Sequence, residues 1–314
     1  MKVKTNTMKD SLLMWVERLR DSIPAQLTLA GLIIGTGAGL MWYNYIYLGT
    51  QSVFDGMLSQ SLQTSSYTRV DTSTNDQGVT QVVQNQVQFG PDTFVRRLTT
   101  VSQKDGEQTN LVRREALGTP KVDFERLLKV DIPSQPPEAV AAFKATEGKW
   151  VRMTPEGTTS NQYLVGSIFG IVPMAPLQPE QQRELSDFMK QENLYRIDKT
   201  VPIQKATVEG KAVYIYTVTV KTSSYLKYLQ KFSEAVGIGD AAQFDPSQYD
   251  DQEDAQIEIA VSPRSRQVIE VKFPKNPERT EKYTSYGIMN KFIEPANATQ
   301  NPQANPQQPG QPGQ

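Results

Sequence analysis

The chain has 314 residues, with 33 basic and 34 acidic side chains, a net charge of −1, and neither His nor Cys. Absence of Cys excludes disulfides, thiolate zinc sites and a lipid-modified cysteine, and absence of His excludes a Ser–His triad and the usual general-base histidine. A near-neutral balance also lacks the electrostatic footprint of a nucleic-acid binder.

The first 21 residues hold Lys2, Lys4, Lys9, Arg18 and Arg20. Met8, Leu12, Trp15, Val16 and Leu19 share one helical face, opposite Lys9, Glu17, Arg18 and Arg20. Beside a membrane that pattern predicts an amphipathic arm (1–21) lying in the cytoplasmic interface. Residues 22–54 carry no charge, and 27–48 form one long apolar run. As a helix this run spans roughly 33 Å, enough for a ~30 Å hydrocarbon core. Residues 22–49 are therefore predicted as a single transmembrane helix. The basic arm before it places the N-terminus in the cytoplasm and the main domain outside. Trp42, Tyr43, Tyr45 and Tyr47 crowd the outer end, where amphipathic rings prefer the headgroup level. The run exceeds a signal-peptide core and no A-x-A-like site follows, so an uncleaved signal anchor in the cell membrane is expected. Gly31, Gly35 and Gly39 repeat at four-residue spacing, which admits close approach of a second membrane helix and hence homo- or hetero-association.

From residue 50 the periodicity is mostly two. Val79, Val83, Val87 and Phe89 share a strand face, with Gln84, Gln86 and Gln88 on the other. Strands at 94–101 and 111–117 flank the turn Asp105-Gly106, and a short one lies at 150–153. The segment 213–220 (VYIYTVTV) is the strongest strand pattern, and 257–261 pairs with 269–273 across Ser262-Pro263-Arg264-Ser265. Three helices are expected, at 52–62, 179–191 and 223–236. The second starts with Pro179, and the third carries a stripe of Tyr225, Leu229, Phe232 and Val236 behind a Ser or Thr cap. Amphipathic helices need a sheet face to cover, so residues 50–295 read as one α+β domain: a curved antiparallel sheet with helices on its concave side. Asp250-Asp251-Gln252-Glu253-Asp254 lacks the Gly and spacing of a calcium loop and reads as a solvated acidic loop. Asp123, Glu125 and Lys129 with Arg113 and Arg114 read as surface charge pairs. Residues 296–314 contain no charged side chain and no apolar residue larger than Ala, are rich in Pro, Gln and Gly, and read as a disordered tail.

The order of elements, with "GKAVYIYTVTV", "IEIAVSPRSRQVIEVKF" and the closing Tyr283-Thr284-Ser285-Tyr286-Gly287 before Phe292-Ile293-Glu294-Pro295, resembles the lipoprotein-carrier superfamily of LolA/LppX/LprG-like half-barrels. The resemblance covers about residues 51–295 and departs from the family at its anchor, a membrane helix in place of a lipidated Cys or a soluble form. It implies an unclosed half-barrel whose covering helices enclose an apolar cavity. The residues placed to line that cavity are Phe54, Leu58, Leu62, Leu185, Phe188, Tyr214, Tyr216, Leu229 and Phe232. Two functions follow: a membrane-anchored extracytoplasmic binding module for lipid or another apolar ligand, or an envelope scaffold or protein-interaction domain without a small ligand. No enzyme activity, catalytic residue, metal or cofactor is expected.

Overall fold

The computed structural model describes residues 34–39, 41–238 and 252–300. The chain divides into two units, Met1–Val53 and Phe54–Gln314. In the first, residues 34–39 are helical and Trp42–Tyr47 form one turn and a half of π-helix, continued by the Leu48 amide donating to the Tyr43 carbonyl at 2.9 Å. Tyr43 and Tyr47 stack at 5.5 Å, and Ile34, Met41, Trp42 and Tyr43 are exposed. Among the described residues no helix is long and apolar enough to cross a membrane. The arm 1–21, residues 22–33 of the expected span (Gly31 among them) and residue 40 lie outside the described residues. Positions 35 and 39, the remaining glycines of the triplet, have open space where a side chain would stand.

The second unit is built on one sheet. Its strands are β1 (Ser66–Thr74), β2 (Val79–Gln88), β3 (Phe94–Asp105), β4 (Gln108–Gly118), β5 (Asp123–Asp131), β6 (Trp150–Arg152), β7 (Tyr195–Ile197), β8 (Gln204–Val208), β9 (Lys211–Val220), β10 (Ala255–Val261), β11 (Val268–Lys272), β12 (Thr280–Thr284) and β13 (Thr299–Gln300). The spatial order is β13-β6-β5-β4-β3-β2-β1-β12-β11-β10-β9-β7, with β8 pairing β9 beside β7. The two ends of that path are different strands, so the curved sheet stays unclosed. Among the described residues five helices accompany it: α1 (Thr50–Ser61), α2 (Pro137–Lys144), α3 (Gln162–Ile168), α4 (Pro179–Gln191) and α5 (Thr222–Val236).

Local chemistry explains most boundaries. Gly106, at φ +61°, allows the tight β3–β4 turn that an L side chain would strain. Helix α4 starts with Pro179 in its first turn, behind Gln178, whose amide donates to the Gln181 side chain at 3.0 Å. Helix α5 begins one residue before the expected start, behind Lys221 with no side-chain cap, and ends at left-handed Gly237. The expected Ser or Thr cap is thus replaced.

The sheet also corrects the antiparallel expectation. Strand β13 runs parallel to β6, with Thr299 opposite Val151 and Gln300 opposite Arg152, so the sheet is mixed. A parallel neighbour requires a crossover, and residues 285–298 supply it: the chain leaves β12 and passes β1, β2 and β3 before reaching β6. Pairing therefore continues to Gln300, beyond the domain end expected at 295, while 301–314 lie outside the described residues. Strands β1, β5, β7, β8 and β13 and helices α2 and α3 join the expected elements.

Register shows which side chains share a face. Ile259 lies opposite Tyr216, Val271 opposite Glu281, Tyr283 opposite Arg69, and Arg69 opposite Asn85. These residues line the inner face, the one that the helices cover. Ring contact of Phe54 in α1 with Tyr216, and the bond from Ser167 in α3 to Asn85, place both helices there. Helix α4 packs on α5, joined by Gln181 Nε2 donating to the Ala235 carbonyl at 3.0 Å.

Candidate functional site: the layer between helices and sheet

The inner layer has two halves of different chemistry. Under α1, α4 and α5, strands β9–β11 present Tyr216, Val218, Ile257, Ile259 and Val271, all buried. Full burial of such a side chain contributes roughly 1.5–3 kcal/mol. Phe54 meets Tyr216 at 5.1 Å between ring centroids, Tyr216 meets Tyr214 edge-on at 6.5 Å, and Tyr228 of α5 lies between Phe188 (6.4 Å) and Phe232 (6.1 Å).

Of the residues that the resemblance selects, ring contacts join Phe54 and Tyr214 to Tyr216, and Phe188 and Phe232 to Tyr228. Phe54, Leu62, Leu185, Tyr216, Leu229 and Phe232 are buried, whereas Leu58, Phe188 and Tyr214 are half-buried. Each of the last two carries a lysine over its ring: Lys231 Nζ lies 5.6 Å from the Phe188 centroid, and Lys205 Nζ 5.6 Å from that of Tyr214. Long basic side chains thus cover apolar rings while their ammonium groups stay in water.

The second half, under α3 and the loop that follows it, is polar. Arg69 of β1 is only 4% exposed, and its Nε donates to Asp71 Oδ2 at 3.0 Å. Asn85 donates to the same oxygen at 3.2 Å and accepts from Ser167 Oγ at 2.9 Å. Next to them Glu281 accepts from Tyr283 (2.7 Å), Arg279 (3.1 Å) and the Ile171 amide (3.4 Å). Burial pushes the Asp71 carboxyl above the usual range, against the opposing effect of Arg69. For Arg69 itself burial works against the charge, yet Tyr283, Asp71, Tyr67 and Glu281 together hold its pKa above the ordinary guanidinium value.

Why should charge collect there? The loop after α3 is buried, and its carbonyls need donors that no helix or strand supplies. Three tyrosines from three elements provide them. Tyr67 donates to the Ile168 carbonyl at 3.4 Å, Tyr225 to Gly170 at 2.5 Å and Tyr195 to Ile171 at 2.8 Å. Burial pushes Tyr67 up to about 12 and raises Tyr225 and Tyr195 as well, so all three hydroxyls stay protonated donors at neutral pH. Gly170 fits because it has no side chain: a Cβ there would lie 2.8 Å from the Tyr283 hydroxyl and would strike Arg69.

Sequence reasoning missed this polar half. Its inward residues, Tyr67, Arg69 and Asp71 on β1 and Glu281 and Tyr283 on β12, alternate with period two, but polar residues at such positions read as a solvent face. A further correction concerns Asp123. It is not a surface charge: it is 2% exposed and accepts from Ser160 Oγ at 2.5 Å and the Gln162 amide at 3.0 Å, which fastens the start of α3. Burial raises its pKa despite these two bonds. Arg114 and Glu125 do pair, at 3.3 Å. In the acidic loop, Glu253 pairs with Lys275 at 2.5 Å and Asp254 with Arg196 at 3.8 Å, while Asp250 and Asp251 lie outside the described residues.

No family model matches the chain, and no curated protein matches it in sequence. Among solved structures, the crystal structure of LprF from Mycobacterium bovis is similar at a TM-score of 0.41 and 12% identity, over 78% of this chain and 96% of that one.

Proposed function

We propose that the chain is a non-catalytic binding module of the cell envelope, anchored in the membrane by the uncharged stretch 22–54, with its main domain outside the cytoplasm. Its ligand is a lipid or another apolar molecule, taken between the helices and strands β9–β11. The observation that carries this reading is the convergence of apolar stripes from α1, α4 and α5 on one sheet face, with Leu58, Phe188 and Tyr214 half-buried at its rim. An apolar ligand needs such area and few polar groups. The half-barrel resemblance of residues 51–295 agrees with it. Exposed Gly35 and Gly39 suit association with a second membrane helix.

A second reading, an envelope scaffold without a small ligand, is favoured by the full exclusion of Tyr216 and Phe232 from solvent, as expected of a core packed on itself. One experiment separates the two. The full chain is purified from membranes, extracted lipid is identified by mass spectrometry, and Leu58→Trp and Leu229→Trp are compared with the parent. Loss of bound lipid with an unchanged melting temperature supports the binding module. A melting temperature lowered by overpacking, ~1–3 kcal/mol of stability, with no ligand detected in any form, supports the scaffold.

A further inference from the structure

Among the described residues of Phe54–Gln314, four large apolar side chains are exposed, and three of them, Ile288, Met289 and Ile293, fall within six positions of the crossover 285–298. Their outward direction is set by what holds the segment down. Tyr286 donates its hydroxyl to the Val268 carbonyl at 2.7 Å, and the Gly287 amide donates to Ser66 at 3.0 Å. Gln88 grips Asn290 twice, accepting from its amide at 2.6 Å and donating to its carbonyl at 3.0 Å. Phe292 packs on Phe94 at 5.4 Å. With 286, 287, 290 and 292 tied to the sheet, Ile288, Met289 and Ile293 are left facing water, with exposed Lys291 among them. Apolar side chains gathered on an ordered segment mark an interaction surface rather than scattered exposure.

The place of this segment in the fold points to its partner. The ends of β12 and β2 and the turn between β10 and β11 all lie at one end of the sheet. Helix α1, which continues the chain from the uncharged stretch, meets the same end. Gly56 lies against Arg266 in that turn, and Met57, Gln60 and Thr64 share a cleft with Val268 and Tyr286. The apolar segment therefore begins two residues after a side chain that lines one cleft with the first helix of the body. Apolar residues with an interspersed Lys suit an interface, where the chain inserts and the ammonium reaches the phosphates.

We propose that Ile288, Met289 and Ile293 dip into the outer leaflet of the bilayer that holds the anchor, giving the body a second point of attachment and a fixed orientation. This rests on the anchored reading of the chain. The absence of Cys from these 314 residues makes it directly testable in this chain. Four single-cysteine variants, Met289→Cys, Ile293→Cys, Ile34→Cys and Asp105→Cys, are spin-labelled and placed in phosphatidylcholine nanodiscs, with and without phosphatidylglycerol. Collision with oxygen is compared with collision with a nickel chelate. The expected result is oxygen-dominated collision at 34, 289 and 293 and chelate-dominated collision at 105, in the β3–β4 turn at the far end of the sheet. Chelate access at 289 and 293 equal to that at 105, with 34 in lipid, overturns the inference and leaves the anchor standing. Protection of 289 and 293 from both probes means that protein covers them and also overturns it. Chelate access at 34 removes the anchor and the inference with it.

Discussion

The two halves of the inner layer use the same strand periodicity for opposite chemistry. Under α1, α4 and α5, the strands meet helices whose backbone groups are satisfied internally, so apolar side chains alone complete the layer. Under the loop 168–172, the strands meet irregular backbone, and their inward positions carry Arg69, Asp71, Glu281 and three tyrosines instead, with Tyr225 of α5 as a further donor. The cover, rather than the sheet, decides which side chains the inner face needs. A buried loop imports polarity into a core because its carbonyls and amides require partners there.

Inserting charge into the apolar half tests this contrast most severely. Ile259→Asp leaves an unpaired carboxylate opposite Tyr216 and should cost more than about 4 kcal/mol, read as failure to fold or a large drop in the urea midpoint. A similar tolerance to that of a surface site would mean that this half is wet. In the polar half, removing charge should do the damage. Arg69→Met strands Asp71 beside Glu281 and should cost about 3–5 kcal/mol by the same urea measurement, although it makes the site more apolar. A neutral or stabilising result would show that the two halves differ only in composition. Tyr225→Phe keeps the ring and removes one donor from the Gly170 carbonyl. It should cost about 1–3 kcal/mol and raise amide exchange in the loop 168–172 without raising it in β9–β11.

The smallest effect is a pH dependence of particular sign. Asp71 and Asp123 have folded-state pKa values raised by burial above those of the unfolded chain. The folded protein therefore takes up their protons first as pH falls. Their burial cost is fully present above the raised values and is relieved between those values and the unfolded value of about 3.9. Asp123→Asn should remove that component, so the ratio of variant to parent stability should be higher at pH 7 than at pH 4. An unchanged pH profile would place the Asp123 carboxyl in solvent.

Much of the apolar half was legible from the chain. The alternation of 213–220 and 257–261 and the stripes at 179–191 and 223–236 each bury one face, and burial of one face imprints a period on the sequence. The polar half left no comparable trace. In β1, SYTRVDTST, the inward positions are Tyr67, Arg69 and Asp71, so the usual relation of polarity to exposure is inverted. Helix α3 has seven residues, QYLVGSI, too few for a helical stripe to stand out. The crossover 285–298 has no period at all, because its contacts are made by single residues to strands far away in sequence.

The α+β class, the strongest strands and helices and the uncharged stretch at 22–54 are local properties of the chain, set by neighbours within one or two turns. Long-range packing sets the return of β13 parallel to β6, the burial of Asp123, and the place of Arg69 and Glu281 under a loop held by three tyrosines. Those features depend on pairings between residues far apart in the chain, such as Arg69 with Tyr283, and the free energy of a buried charge or carbonyl is set by whichever distant group arrives to meet it.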